Sequence, residues 1–414
     1  MVLRQVFRKC DSYITPNEIH NKTIKIKIMK CMKNNFLVFT LLCCSFSLLA
    51  QNKPPTVSIN PKGMETAKTR LSDLIQSIEY IPLETNESSL IANIRLFDIS
   101  SKHIVLWTYP TQDVLLFQRT GEFVSKIATR GLGPEEYYSV PQLSINEERQ
   151  EIDLICLSPD KRIKKSYNFR GRFLRMTHGE KSLITFLRKI DHLWLFMDLR
   201  SDSVRNEYIV YDFDKHKTVT TAVRSNPIQW RGQGGTETGA AIHYLRNGMV
   251  HLRNSYRNDT LYQIKKDYRF IPYYSFDVGK YKMPDEVRTD IQKFLKRTPE
   301  YVFIRSLYET GSDFLFSYEY ENRKWYAIYN KTTRQSALFP SEKGIPNDWD
   351  GGPDIWFTRQ DEKTMYGFIP ASEFLEHKNK LTPKGPQSAI KRMNELKDTL
   401  LEDDNPVFVV VTMK

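Results

Sequence analysis

Seven residues in three loop-like stretches join aromatic faces to charged groups, the mixture that ligand recognition uses: Arg130, Glu135 and Tyr137; Trp230 and Arg231; Trp349 and Asp350. Aromatic rings stack on the apolar faces of sugars, while Arg and carboxylates meet hydroxyls or peptide groups two at a time. Such a mixture suits a saccharide or a peptide chain better than lipid or nucleic acid. The first three residues border or belong to Gly131-Leu-Gly-Pro-Glu-Glu-Tyr137, which also reads as a connecting turn with glycines at positive φ. Packing between strands accounts equally well for the tryptophans, Trp356 included.

Catalysis leaves less trace. The chain has no G-x-S-x-G, no G-x-x-x-x-G-K-[ST], no H-E-x-x-H and no EF-hand loop. Its histidines are scattered, with His243 and His251 in strand-like contexts where a packed or surface role is the ordinary one. Gly232–Gly239 is glycine-rich but lacks the Lys and the helix that would cradle a phosphate. A central metal would need oxygen ligands converging from several strands, with Glu135, Asp259 and Asp354 as candidates. The residues therefore point to binding, with no catalytic residue, no metal and no cofactor assigned. The alternative is a hydrolase or lyase holding a metal in a central channel.

Of 414 residues, 61 are Lys or Arg and 49 are Asp or Glu, and half of the resulting +12 falls within residues 1–50. The remainder is too mildly basic to make nucleic acid the expected partner. One basic stretch, Lys161 to Lys181, interleaves eight Lys/Arg with Tyr167, Phe169 and Phe173. It reads as a solvated sheet edge or, in an exported protein, as a grip for an anionic glycan. Phe36 to Ala50 is an uncharged run after Met32-Lys33, the pattern of a signal peptide, and is too short for a comfortable membrane span. Export to the periplasm or cell surface is expected, with Met32 or Met29 as the start and cleavage after Ala50. Lipid attachment at Cys43 or Cys44 is the competing route and the one membrane link expected. Four of five cysteines lie in this leader, leaving Cys156 as a buried thiol in a strand and no disulfide.

The elements that must position the loops are strands. From Ile78 onward short alternating or apolar runs follow one another, and a strand-turn-strand pattern recurs at 113–127, 162–177, 207–222, 260–276 and 324–339. The turn centres lie about 44 to 66 residues apart, leaving room for two more strands between copies. That spacing suggests an all-β fold of four-stranded propeller blades, with a sandwich or two β-domains as the alternatives, and two short helical insertions are expected at Pro284–Arg297 and Pro386–Leu401. Val407–Thr412 is apolar enough for a strand covered on both sides, and Ile78–Glu84 is its expected mate. The organisation is thus 1–50 as upstream extension and signal peptide, 51–74 as linker, and 75–414 as one propeller domain, expected to be monomeric.

IEYIPLET (78–85), VLLFQRTGEFVSKIATRGLGPEEY (114–137) and the final NPVFVVV (405–411) resemble the exported six-bladed, NHL-like propeller proteins abundant in Bacteroidetes. The resemblance implies six blades and an exported binding or scaffolding role, with a glycan or an envelope protein bound at one mouth of the channel. It implies no catalytic residue.

Overall fold

The computed structural model describes residues 53–138, 142–157, 162–180, 185–197, 206–223, 241–254, 259–288, 290–378 and 381–414. The leader, with its expected cleavage and lipid sites, lies outside them. Residues Pro55–Lys414 form one compact unit. Among the described residues no helix is long and apolar enough to cross a membrane.

The fold is mostly β. The chain opens with β1 (Thr56–Ser58), β2 (Glu65–Thr66), a single helical turn α1 (Leu71–Leu74) and β3 (Ile75–Pro82). Strands in antiparallel runs of four follow: β4 (Asn93–Ile99) to β7 (Phe123–Thr129), then β8 (Gln142–Asn146) to β11 (Phe173–His178). The third and fourth runs are β12 (Thr185–Ile190) to β15 (Lys217–Val223) and β16 (Ala241–Arg246) to β19 (Phe270–Asp277). Helices α2 (Asp285–Arg288) and α3 (Ile291–Arg297) precede β20 (Phe303–Glu309) to β23 (Gln335–Leu338). The chain ends with β24 (Arg359–Asp361), β25 (Thr364–Ile369), helices α4 (Ala371–Glu376) and α5 (Gln387–Thr399), and β26 (Val407–Met413).

The last run is completed by the beginning of the chain. β26 lies between β25 and β3, antiparallel to both, with Val410 opposite Glu79 and Val411 opposite Ile78. Its valines are buried on both faces, which fits a continuous β-branched run. All five recurring strand-turn-strand segments form antiparallel hairpins. Gly121 and Gly171 supply the positive φ, +100° and +77°, that two of the turns require.

Two expectations need correction. Residues 51–74 are not a free linker: β1 pairs parallel with β19 and β2 with β23, and Val57 and Leu71 are fully buried. The backbone of each outer strand offers unpaired groups, and the N-terminal segment satisfies two such edges. Helical structure is also more extensive than two insertions, since α4 and α1 join them. Val287 of α2 and Phe294 of α3 pack with Met283, Tyr301 and Phe303, while Leu295 of α3 is exposed.

Candidate functional site

The first strands of the four-strand runs, β4, β8, β12, β16, β20 and β24 with the adjoining Thr358, line one space of about 280 Å³. Five of the lining residues are Arg or Lys: Arg95, Arg188, Lys189, Arg305 and Arg359. Asp98 is the one carboxylate of the described wall, and His243 lines it too. Arg359 pairs with Asp98 at 2.6 Å and with Asp361 at 2.8 Å, and Arg188 shares Asp361. Glu319 holds Arg305 at 2.5 Å. Among the described residues, five cations therefore meet three carboxylates. Arg95 and Lys189 have no carboxylate partner among these residues and rest instead over the rings of Tyr109 (5.5 Å) and Trp194 (5.4 Å). Arg188 is buried, and burial followed by the neighbouring charge of Arg359 pulls its guanidinium down to about 9. The chamber thus carries an excess of positive charge in a partly desolvated setting, where an anion is held more strongly than at an open surface.

Arg130, Glu135, Tyr137, Trp349 and Asp350 are not among the residues that line this chamber. Tyr137 is completely buried: its hydroxyl accepts from Trp107 Nε1 at 2.8 Å and donates to the Gln112 carbonyl. Burial raises it to about 12. It is a core residue, because a tyrosine whose ring is packed and whose hydroxyl is satisfied cannot also face a ligand. Arg130 and Glu135 are exposed, Arg130 donating to the Tyr138 carbonyl (3.1 Å) and Gln112 Oε1 (3.0 Å). Trp230 and Arg231 lie outside the described residues. Asp350 is buried and Trp349 half-buried, both beneath the segment between β25 and β26. Trp356 donates to Ser306 at 2.9 Å and packs against Tyr308 and Tyr326.

The 131–137 loop is built differently from the expected pair of positive-φ glycines. Neither Gly131 nor Gly133 has a positive φ; a Cβ on Gly131 would strike the Glu136 carboxylate, which folds back to accept from Gly133 N at 2.8 Å. Lys165, from the basic stretch, is buried and donates to the carbonyls of Pro134 (2.8 Å) and Glu136. That stretch is thus not simply a solvated edge, since one of its lysines clamps the loop from inside. The three carboxylates considered for a metal stand in separate settings: Asp259 pairs with Lys282, Asp354 accepts from Asn347 N at 3.1 Å, and Glu135 is exposed. Among the described residues no three His, Cys, Asp or Glu side chains are grouped to hold a metal.

A family profile described as Domain of unknown function (DUF4934) matches residues 54–412. The chain belongs to this family. No curated protein matches it. The fold is similar to a crystal structure from Bacteroides fragilis, whose name makes it a candidate exported protein. The TM-score is 0.61 at 15% identity, over 87% of this chain and 99% of that one. At such identity the likeness is one of fold. A more remote likeness is a Thermus thermophilus protein named as a candidate oxidoreductase (glucose dehydrogenase), with TM-score 0.38 and 9% identity over 81% of this chain and 99% of that one.

One residue beyond the chamber wall along β20 lies a second polar region that sequence reading also missed. Glu309 is buried and accepts from Tyr244 Oη (2.8 Å), Tyr273 Oη (2.7 Å) and Lys331 Nζ (2.5 Å). Burial pushes its carboxyl up, but Lys331, His251 and Tyr273 outweigh that and hold it below the ordinary range. His251 stacks flat on Tyr244 at 4.7 Å, and burial drives it down to about 4 against the pull of Glu309. It is neutral at physiological pH. The signal for this cluster was present only as an acid at the end of β20 and a histidine inside β17 (Met249–Asn254).

Proposed function

We propose that this protein is an exported, six-bladed β-propeller whose central chamber binds an anionic glycan. The runs of four strands, completed by β3, serve as the blades, and their first strands line the channel. This reading is supported by six strands from distant parts of the chain meeting at one space, and by the fold likeness to a candidate exported protein. The observation that carries the ligand class is the excess of cations there, with Arg95 and Lys189 lacking carboxylates among the described residues. Carboxylate or sulfate groups on a sugar chain satisfy both, and Arg adds a two-pronged geometry that a point charge lacks. The role this reading assigns to the chamber is binding.

Titration calorimetry with an oligogalacturonate and with a neutral gluco-oligosaccharide of equal length tests this. The acidic chain binds with an affinity that falls as salt rises, and R95A/K189A weakens it by at least about tenfold. Equal binding of the neutral chain, or an unaltered affinity in the double variant, overturns the assignment.

A further inference from the structure

The strands β25 and β26 are separated by residues 370–406, and this segment folds over Asp350. Between α4, α5 and the turn at Asp350–Pro353 lies a cavity of about 390 Å³, within the range of about 300–1,000 Å³ usual for small-ligand sites. Asp350 borders it and also a neighbouring cavity of about 520 Å³ on the side of Tyr80. Tyr80 Oη (3.2 Å), Asn347 Nδ2 (2.9 Å) and Gly352 N (3.0 Å) all donate to Asp350 Oδ1. Oδ2 accepts from no described group, although the residue is 1% exposed. A second lining group, His377 Nε2, is buried without a partner among the described residues, and so is the indole Nε1 of adjacent Trp349. Buried polar atoms are nearly always satisfied, so two orphans in the wall of one cavity, with a third on the residue beside it, indicate what the cavity is for.

The chemistry of the wall narrows the occupant. Its charged groups are one carboxylate, Asp350, and two amines, Lys378 and Lys397. A cation would face the amines and an anion the buried acid, and one carboxylate alone does not make a metal site. Hydroxyl groups donate to Oδ2 and accept from an amine or an imidazole N–H with equal ease. Phe374, Leu381 and Met393 supply apolar faces for C–H groups. We propose that this cavity binds one neutral sugar unit, with Asp350 as its anchoring acceptor, as a site separate from the anion chamber. Burial raises the Asp350 carboxyl above its ordinary range despite its hydrogen bonds. A fold that keeps an expensive buried acid with an unused oxygen is retaining it for a ligand, since function commonly costs stability.

The test uses the full chain and the methyl glycosides of glucose, mannose, galactose and N-acetylglucosamine, followed by calorimetry and by the Trp349 indole N–H resonance. At least one glycoside binds saturably and moves that resonance. D350N keeps every contact of Oδ1 but removes the anionic acceptor: it weakens binding by at least about tenfold with no fall in melting temperature at pH 7. L381W, which fills the cavity, abolishes binding, and R95A/K189A leaves it unchanged. If D350N fails to fold, L381W decides. No saturable binding by any of the four glycosides overturns the proposal, as does binding that survives L381W or is lost in R95A/K189A.

Discussion

Arg305 and Glu309 stand four residues apart on β20, and the two polar regions they belong to are opposites. Glu309 itself is matched: two tyrosine hydroxyls and one ammonium satisfy its carboxylate, Arg246 donates to its main-chain carbonyl at 3.0 Å, and Gln360 bridges its peptide N–H and C=O. Around Arg305 cations exceed acids, and four of them lean on aromatic rings. Burying charge is costly unless it is matched, so a matched cluster is part of the fold and an unmatched one awaits a partner. Proximity along one strand makes the contrast useful: substitutions in the two regions separate stability from binding.

The largest effect falls on the matched side. E309A strands Lys331, the buried Tyr244 hydroxyl and the part-buried Tyr273 hydroxyl, and is expected to cost about 3–5 kcal/mol of folding stability. Chemical denaturation measures it, and a loss below about 1 kcal/mol would mean that the cluster is not the structural member of the pair. The reverse holds at the chamber. R95A/K189A removes cations that no described carboxylate balances, so stability changes by no more than about 1 kcal/mol, while affinity for an acidic oligosaccharide falls by about 3 kcal/mol, roughly a hundredfold. A double variant that unfolds as readily as E309A would erase the contrast.

Tyr137 extends the comparison to a residue that looked functional and is not. Y137F leaves the Trp107 indole N–H without its acceptor and removes the donor to Gln112, a cost of about 1–2 kcal/mol. Its expected signature is a lower denaturation midpoint with unaltered binding of any ligand. A binding defect without destabilisation would return Tyr137 to the site.

These outcomes bear on what a sequence makes legible. The hairpins and the β26–β3 seam follow from local pattern: alternation, glycine turns and one β-branched run too apolar for an edge. The chamber does not. Arg95, Lys189, Arg305 and Arg359 occur more than fifty residues apart, each in an unremarkable strand, and only the meeting of first strands makes them one site. Tyr137 misled because an aromatic residue after a glycine-rich turn reads the same whether its ring turns outward or seals a core. Asp350 stood out by its company, Trp349 and two glycines, but its burial under the segment between β25 and β26 was not legible, because α4 is a helix of six residues with too little periodicity to announce itself.

The smallest effect at neutral pH belongs to His251, which refines the matched side. Its folded value of about 4 lies below the ordinary 6.5 because burial disfavours the imidazolium. Between these values the unfolded chain binds a proton that the folded chain refuses, so stability falls as pH drops from about 6.5 toward 4 and is unaffected above. Glu309 shifts in the opposite sense: its carboxyl is held low, so its contribution is present above the ordinary 4.5 and is lost only as pH falls below it. From pH 6.5 to 4.5, then, His251 alone of this pair drives the change. H251Q should leave stability near pH 7.5 little altered and flatten the decline between pH 6.5 and 4.5, read from denaturation midpoints at half-unit steps. The slope cannot exceed about 1.4 kcal/mol per pH unit for one proton. An undiminished slope in H251Q would show that His251 is already charged in the fold, and the stacked, neutral imidazole against Tyr244 would have to be abandoned as part of the matched cluster.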